Sequence, residues 1–327
     1  MVAYEKEQQI AIAAVTVAAG LCQRVRQLEN WATLTKADTS PVTIADFATQ
    51  AVICQALSVA FPDDPIIGEE DAALLVLPEL AEALGQITHQ VQTILPEASS
   101  QQVIDSINRG KGKIASRYWT LDPIDGTKGF IRGDQYAIAL ALVEAGEVKL
   151  GILGCPALPV DFNDPQGDLG VIFLGIRGQG SQMRSIDGKK SHPITVNRTD
   201  EPGNIQRIES VEYTHSDRTR QKALDQTLGV KHPVKQMDSL AKYGAIARGE
   251  ADLYVRIPLQ QPTPRYENIW DHASGVVIVE EAGGKVTDLD GKALDFSVGP
   301  KLSNNRGIVV TNGKIHQQVL ETIAQTT

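Results

Sequence analysis

The stretch Trp119-Thr120-Leu121-Asp122-Pro123-Ile124-Asp125-Gly126-Thr127 sets two carboxylates three residues apart, with a proline and a glycine shaping the backbone around them. The hydroxyl of Thr127 follows two residues after the second acid. Acids this close repel each other unless a cation lies between them or one of them keeps its proton. A hard divalent cation such as Mg2+ suits the pair, because it takes carboxylate oxygens and keeps open positions for water and phosphate. Pro123 donates no backbone hydrogen bond and restricts Asp122 to an extended conformation. That turns both carboxylates and the Ile124 carbonyl toward one point. The stretch proposes metal-assisted phosphoryl chemistry.

Two further patches carry acids beside stiff or apolar segments, where an unpaired carboxylate is costly. Gly68-Glu69-Glu70 follows Ile66-Ile67, and Ile269-Trp270-Asp271 opens the apolar run 273–279. Taken singly, each has a plain structural reading. Gly-Glu-Glu is a solvated turn, Trp-Asp is a core aromatic followed by a helix cap, and Asp-x-x-Asp-Gly is a common turn. Their joint presence in this order is far more specific.

These residues resemble the inositol-monophosphatase-like superfamily of Mg2+-dependent, Li+-sensitive phosphatases. Within it the chain is most similar to the 3′(2′),5′-bisphosphate nucleotidase branch. The narrower resemblance rests on Pro41-Val42-Thr43-Ile44-Ala45-Asp46, on Phe61-Pro62-Asp63-Asp64, on Ser210-Val211-Glu212-Tyr213-Thr214-His215-Ser216, on Asp238-Ser239-Leu240-Ala241-Lys242-Tyr243 and on Tyr254-Val255-Arg256. It runs from about Gln9 to about Asn312. Two places depart from the branch: Arg218 stands where a second His is usual, and the stretch 259–265 is slightly longer before Trp270.

The resemblance implies a chain of α+β and α/β character, folded as a layered αβαβα sandwich of the inositol monophosphatase and fructose-1,6-bisphosphatase type. It implies that Glu69, Asp122, Asp125 and Asp271, with the Ile124 carbonyl, hold two or three Mg2+ ions, Asp122 bridging. It pairs Thr127 with Asp46: Thr127 accepts a proton from the attacking water and passes its own to Asp46. Gly126 and Thr127 open a helix whose free N–H groups favour phosphate. Ser239, Lys242 and Arg256 fall where the branch contacts the second, non-scissile phosphate, and His215 stacks on or hydrogen-bonds the adenine or ribose. For Lys242 and Arg256 the plain alternative is a solvated helix face and a surface strand end. For His215 it is a surface residue in a Ser/Thr-rich turn.

At 327 residues the chain is long enough for two domains. Its 42% hydrophobic and 22% charged residues are those of an ordinary soluble protein. A net charge of −9 argues against nucleic-acid polymers as partners. It also repels an anionic substrate, so cations at the site must reverse the local field. The expected partner is a small nucleotide, adenosine 3′,5′-bisphosphate (PAP) or 3′-phosphoadenylyl sulfate (PAPS), met by a monomer with no membrane association. Cys22, Cys54 and Cys155 form no disulfide or zinc pattern and read as small core residues in a reducing compartment, the cytoplasm by default. The Ala-rich run 10–21 lacks the basic flank of a signal peptide and is too short to span a bilayer, so it reads as a buried first helix.

Periodicity predicts helices over 5–28, 46–60, 80–94, 102–109, 218–228 and 239–248. In the second, Phe47, Val52, Ile53, Leu57 and Val59 form the buried side, and Asp46 both caps the helix and faces a site. Strands are expected over 137–143, 148–153 and 171–176, joined by short turns as an antiparallel meander, and over 206–213 and 234–237. The Gly-rich basic segment 108–113 reads as a solvated turn in preference to a phosphate contact. A cluster of Asn, Asp, Pro and Gly at 197–203 divides the chain into 1–198, with most metal acids and Thr127, and 199–327, with the nucleotide contacts and Asp271.

Three functions then compete. The first is a Mg2+-dependent phosphatase that converts PAP to AMP and PAPS to adenylyl sulfate, as sulfate assimilation requires. The second applies the same chemistry to an inositol (poly)phosphate or to fructose 1,6-bisphosphate, against which the Ser239, Lys242 and Arg256 set argues. The third is a nucleotide-binding sensor without turnover, which would have no need of the intact acid set.

Overall fold

The computed structural model describes residues 3–29, 31–36, 40–213, 216–259 and 265–326. From the N-terminus, α1 (Glu5–Arg26) leads to a two-stranded ladder of β1 (Thr33–Thr35) and β2 (Pro41–Thr43), then to α2 (Ile44–Ala60). β3 (Ile66–Gly68), α3 (Ala81–Gln92) and α4 (Ser100–Asn108) precede β4 (Arg117–Asp125) and the short α5 (Thr127–Arg132). β5 (Ala137–Glu144), β6 (Glu147–Pro159), β7 (Leu169–Ile176), β8 (Gly180–Ser185) and β9 (Ser191–Ile194) follow. The remainder is β10 (Ile208–Glu209), α6 (Arg218–Leu228), β11 (Lys235–Gln236), α7 (Ala241–Ala247), β12 (Leu253–Arg256), α8 (Ala273–Glu281), β13 (Lys285–Thr287), β14 (Ile308–Thr311) and α9 (His316–Thr326).

β3 to β9 form a seven-stranded sheet in chain order, with β3–β4 parallel and every later pair antiparallel. Side chains alternate between faces along a strand, and β5 obeys this closely. Ile138, Leu140 and Leu142 join the core under α1 and α2, while Ala137, Ala139, Ala141 and Val143 join the core under α7 and α8. On their far side α7 and α8 meet a second sheet, of order β12–β14–β13, and α6 and α9 cover that sheet. The stack is the expected αβαβα sandwich.

The middle helix layer is buried on all sides. Val276, Val277, Ile278 and Val279 of α8 all lie inside the core, as a helix between two sheets requires. Glycines set how closely it sits. A Cβ at Gly175 of β7 would lie 2.7 Å from Ile278 Cα, and one at Gly151 of β6 would lie 2.5 Å from the Ser274 carbonyl oxygen. Both clashes are with backbone, so the helix itself would have to move. Gly175→Ala is expected to cost about 1–3 kcal/mol, read as a lower urea midpoint. An unchanged midpoint would mean that α8 can shift freely.

Most sequence-based expectations hold. The first helix buries its Ala-rich face, and Cys22, Cys54 and Cys155 are free and buried, their thiols pushed up to about 12 by desolvation. Some need correction. Val59 is 73% exposed, so the buried side of α2 ends at Leu57. The helix expected over 80–94 starts as a 3-10 turn, Pro78–Leu80, before α3. The strands expected over 206–213 and 234–237 shrink to the two-residue pair β10–β11. Segment 108–113 joins the edge of β3, where Gly110 accepts from Gly68 N–H (2.8 Å) and Gly112 N–H donates to Ile66 (2.8 Å). Among the described residues, no helix is long and apolar enough to cross a membrane.

Candidate active site

The site grows from the end of β4. In a regular strand, residues three apart point to opposite faces. Between Asp122 and Asp125 the β4–β5 register shifts: Asp122 pairs with Ala139 and Asp125 with Ala137, so β4 carries one residue more than its partner. This bulge re-aims the strand, as bulges do beside functional clefts. Asp122 and Asp125 both line one cleft as a result. Asp122 Oδ1 accepts the Ile124 N–H at 3.0 Å, which fixes the first acid inside the bulge.

Two other elements bring in the remaining acids. β3 runs parallel to β4, and Glu69 N–H, just beyond it, donates to the Leu121 carbonyl (3.1 Å). Asp271 stands just ahead of α8, where Asn268 Nδ2 donates to its Oδ2 (3.1 Å). One carboxylate oxygen from each of Glu69, Asp122 and Asp271 lies within 4.8 Å of the others. Asp125 lines the same cleft and accepts the Leu240 N–H. That donor is aimed by Ser239, which holds a left-handed backbone (φ 67°) just before α7, a strained choice for a residue with a side chain.

The acids oppose one another strongly. Burial, and then the fields of Glu69, Asp125 and Asp271, push Asp122 well above the carboxylate range. Burial and Asp271 lift Asp125 to about 7, and burial lifts Asp271 to about 6. A cation that no sequence pattern announces answers part of this charge. Lys36 Nζ lies 2.8 Å from Glu69 and 2.6 Å from Glu70. Burial depresses its ammonium, but the two carboxylates outweigh that and hold it protonated.

Thr127 begins α5 behind Gly126, whose φ of 84° only glycine adopts cheaply. Its hydroxyl lies 3.3 Å from Asp46 Oδ1 and 3.2 Å from the Ile124 carbonyl oxygen. Asp46 is not the N-cap of α2. Thr43 is, and Asp46 closes a capping box by accepting the Thr43 N–H (2.8 Å) and hydroxyl (2.5 Å). Buried there, it is lifted to about 6.

The cations line the same cleft. Lys242 is 4% exposed, and its ammonium donates to the carbonyls of Ser239 (2.6 Å) and Met237 (3.2 Å). Burial lowers it to about 8. Arg256, at the end of β12, pairs through Nε with Glu267 at 3.0 Å. Ser239, Lys242 and Arg256 line the cleft that holds the acids. Both plain alternatives for the two cations thus fall, since neither sits on a solvated face. His215 lies outside the described residues, as does 260–264 within the longer stretch. Arg218 donates to the Ser210 carbonyl and pairs with Glu209, which anchors the segment carrying Ser210 and Glu212 to the cleft wall. No residue of 108–113 lines the cleft among the described residues. Lys128, Glu212, Asp238, Asn268 and His272 do, beyond those expected.

The donor set fits a hard divalent cation. It offers only carboxylate and carbonyl oxygens, held in an interior where their charges are only partly compensated, which is the preference of Mg2+ rather than of a thiolate-loving metal. A sign follows for stability. Folded and without metal, Asp125 holds its proton up to about pH 7 and Asp271 up to about pH 6, whereas an unfolded Asp loses its proton near pH 3.9. The folded state therefore binds more protons across that window, and its stability drains away as pH rises from about 4 to about 7. Mg2+ should reverse the loss where the acids are charged. It is expected to raise the melting temperature by about 4 °C or more at pH 8 and by little at pH 5. Equal shifts at both pH values would contradict the cluster.

Residues 4–327 match the profile described as the inositol monophosphatase family. A 3′(2′),5′-bisphosphate nucleotidase of Schizosaccharomyces pombe is 40% identical over 344 residues, covering 99% of this chain and 96% of its own. A protein of the same name from Emericella nidulans is 40% identical over 349 residues, covering 98% of each. Among solved structures, an IMPase of Thermotoga maritima superposes with a TM-score of 0.67 at 21% identity, covering 98% of this chain and 97% of the other. That likeness speaks for the fold.

Proposed function

The chain belongs to the inositol monophosphatase family, and from that premise we propose that it hydrolyses the 3′-phosphate of adenosine 3′,5′-bisphosphate to give AMP, and that of PAPS to give adenylyl sulfate. The observation that carries the choice of substrate is the presence of acids and cations in one cleft. An acid cluster shares it with the buried Lys242 and the largely buried Arg256, so one phosphate has a metal seat and the other a cationic one. Relatives named for this activity, similar along almost their whole length, support the same reading.

Glu69, Asp122, Asp125, Asp271 and the Ile124 carbonyl are the proposed ligands of two or three Mg2+ ions. Bound there, Mg2+ supplies Lewis-acid charge for the phosphoryl oxygens and lowers the pKa of water. The chain's own residues direct the displacement. A water oxygen forms a bond to the 3′-phosphorus while the bond from phosphorus to the ribose O3′ breaks, and O3′ leaves with a proton from solvent. The attacking water gives its proton to Thr127 Oγ1, whose own proton passes to Asp46 Oδ1 across the 3.3 Å contact. Asp46, lifted to about 6, is a modest base, which would suffice for a water whose pKa a bound metal had lowered. Gly126 lets the backbone approach the phosphate. Ser239, Lys242, Arg256 and His215 hold the remainder of the nucleotide.

Inhibition by Li+, a role in sulfate assimilation, a cytoplasmic setting and action as a monomer belong to this proposal. The buried free thiols favour a reducing compartment, and a single chain supplies both the acids and the cations of the cleft. The metal acids then fall mainly in 1–198, with Asp271 and the nucleotide contacts in 199–327. The test is product identity. With Mg2+, adenosine 3′,5′-bisphosphate should yield AMP and one phosphate; adenosine 3′-monophosphate as product would reverse the assignment of the two phosphates.

A further inference from the structure

We infer that Glu267 is a positioning residue, one that fixes where the Arg256 guanidinium points in the cleft. This rests on the reading above that Arg256 meets the non-scissile phosphate.

Arg256 lies in the field of several anions, of which Glu267 and Asp271 place carboxylate oxygens within 4.8 Å of each other. Glu267 acts on it most strongly, and Asp271 and Asp125 also act on it. Its Nε lies 3.0 Å from Glu267 Oε1, and both side chains are largely buried, at 16% and 14% exposure. Glu267 has a further neighbour behind it. Its Oε2 lies 3.6 Å from Nε2 of His272, which is 1% exposed. The other ring nitrogen of His272, Nδ1, shares a 2.7 Å hydrogen bond with the Tyr243 hydroxyl. The Tyr243 ring packs edge-on against Tyr254, two residues before Arg256 on β12. The chain of contacts therefore returns to the strand that carries the arginine. Arg256 in turn helps to keep Glu267 ionised: burial raises that carboxyl, but Arg256 and His272 bring it down to about 2.

The consequence is geometric. A guanidinium is a planar fork that fits carboxylate and phosphate equally well. Without Glu267, the acids left to attract Arg256 are Asp271 and Asp125. An arginine swung onto them would be lost to the second phosphate. Glu267 lies four residues before Asp271, so one short segment sets both a proposed metal ligand and the aim of the arginine.

Steady-state kinetics at saturating Mg2+ test this with two substrates, adenosine 3′,5′-bisphosphate and adenosine 3′-monophosphate, which lacks the second phosphate. Glu267→Gln is expected to raise KM for the bisphosphate about tenfold, with a rise of less than about threefold for the monophosphate. Glu267→Asp, with the charge on a shorter arm, should fall between and guards against misfolding of the amide variant. Adding Glu267→Gln to Arg256→Met should change KM by less than about twofold, because the two residues act as one unit. Equal effects on both substrates, or single effects that multiply in the double variant, would overturn the inference. Wild-type protein that binds both substrates equally would overturn the nucleotide reading, and this inference with it. A wild-type preference that survives Glu267→Gln would overturn the inference alone.

Discussion

Asp122→Asn is expected to lower kcat for phosphate release by more than about 10³-fold, since even outer-shell partners of a metal site cost about 10–100-fold when lost. The same change should make the metal-free protein more stable at pH 8. Asp122 sits at 2% exposure among three other acids, so its charge opposes folding there. Asn keeps an oxygen for the Ile124 N–H, which Asp122 now accepts at 3.0 Å. Lower activity together with a higher melting temperature is a combination that misfolding cannot produce. A variant that loses both would show Asp122 to be a structural acid instead.

The second large effect concerns the cations of the cleft. Lys242→Met combined with Arg256→Met should raise KM for adenosine 3′,5′-bisphosphate by about 10²-fold or more, given ~1.5–3 kcal/mol for each hydrogen bond to a charged group. Neutral replacements are the cleaner choice. A glutamate at Lys242 would bury another acid facing Asp125, whose charge already acts on Lys242. The Mg2+ affinity, measured by calorimetry, should change by less than about threefold. A comparable loss of metal binding would place these cations in the metal site, and a comparable loss on an inositol phosphate would remove their role in substrate choice.

Much of this was legible in the sequence because its signals are local. The β5–β6 hairpin follows from apolar runs joined by a compact turn at 144–147, and the α6 bounds of Arg218–Leu228 agree with the periodicity. The acids were legible because Asp122-Pro123-Ile124-Asp125 carries its own geometry, and the structure adds the bulge that turns both acids to one side. What stayed hidden depends on distance along the chain. Lys36 reaches Glu69 and Glu70 across more than thirty positions, and nothing around Thr35-Lys36 marks it. The segment 206–213 looked like a strand by composition. Arg207 instead pairs with Glu209 (2.7 Å) and Asp225 (2.8 Å), and the ladder ends after Ile208–Glu209. Val59 misled because an apolar residue near a helix end is free to face water.

The most direct test is a phosphate-release assay with Mg2+ across four substrates: adenosine 3′,5′-bisphosphate, PAPS, an inositol monophosphate and fructose 1,6-bisphosphate. The account predicts turnover of the two nucleotides, with kcat/KM at least about 10²-fold above that for the two sugar phosphates, the discrimination two phosphate-binding cations can supply. Turnover of an inositol phosphate with none of adenosine 3′,5′-bisphosphate would contradict it.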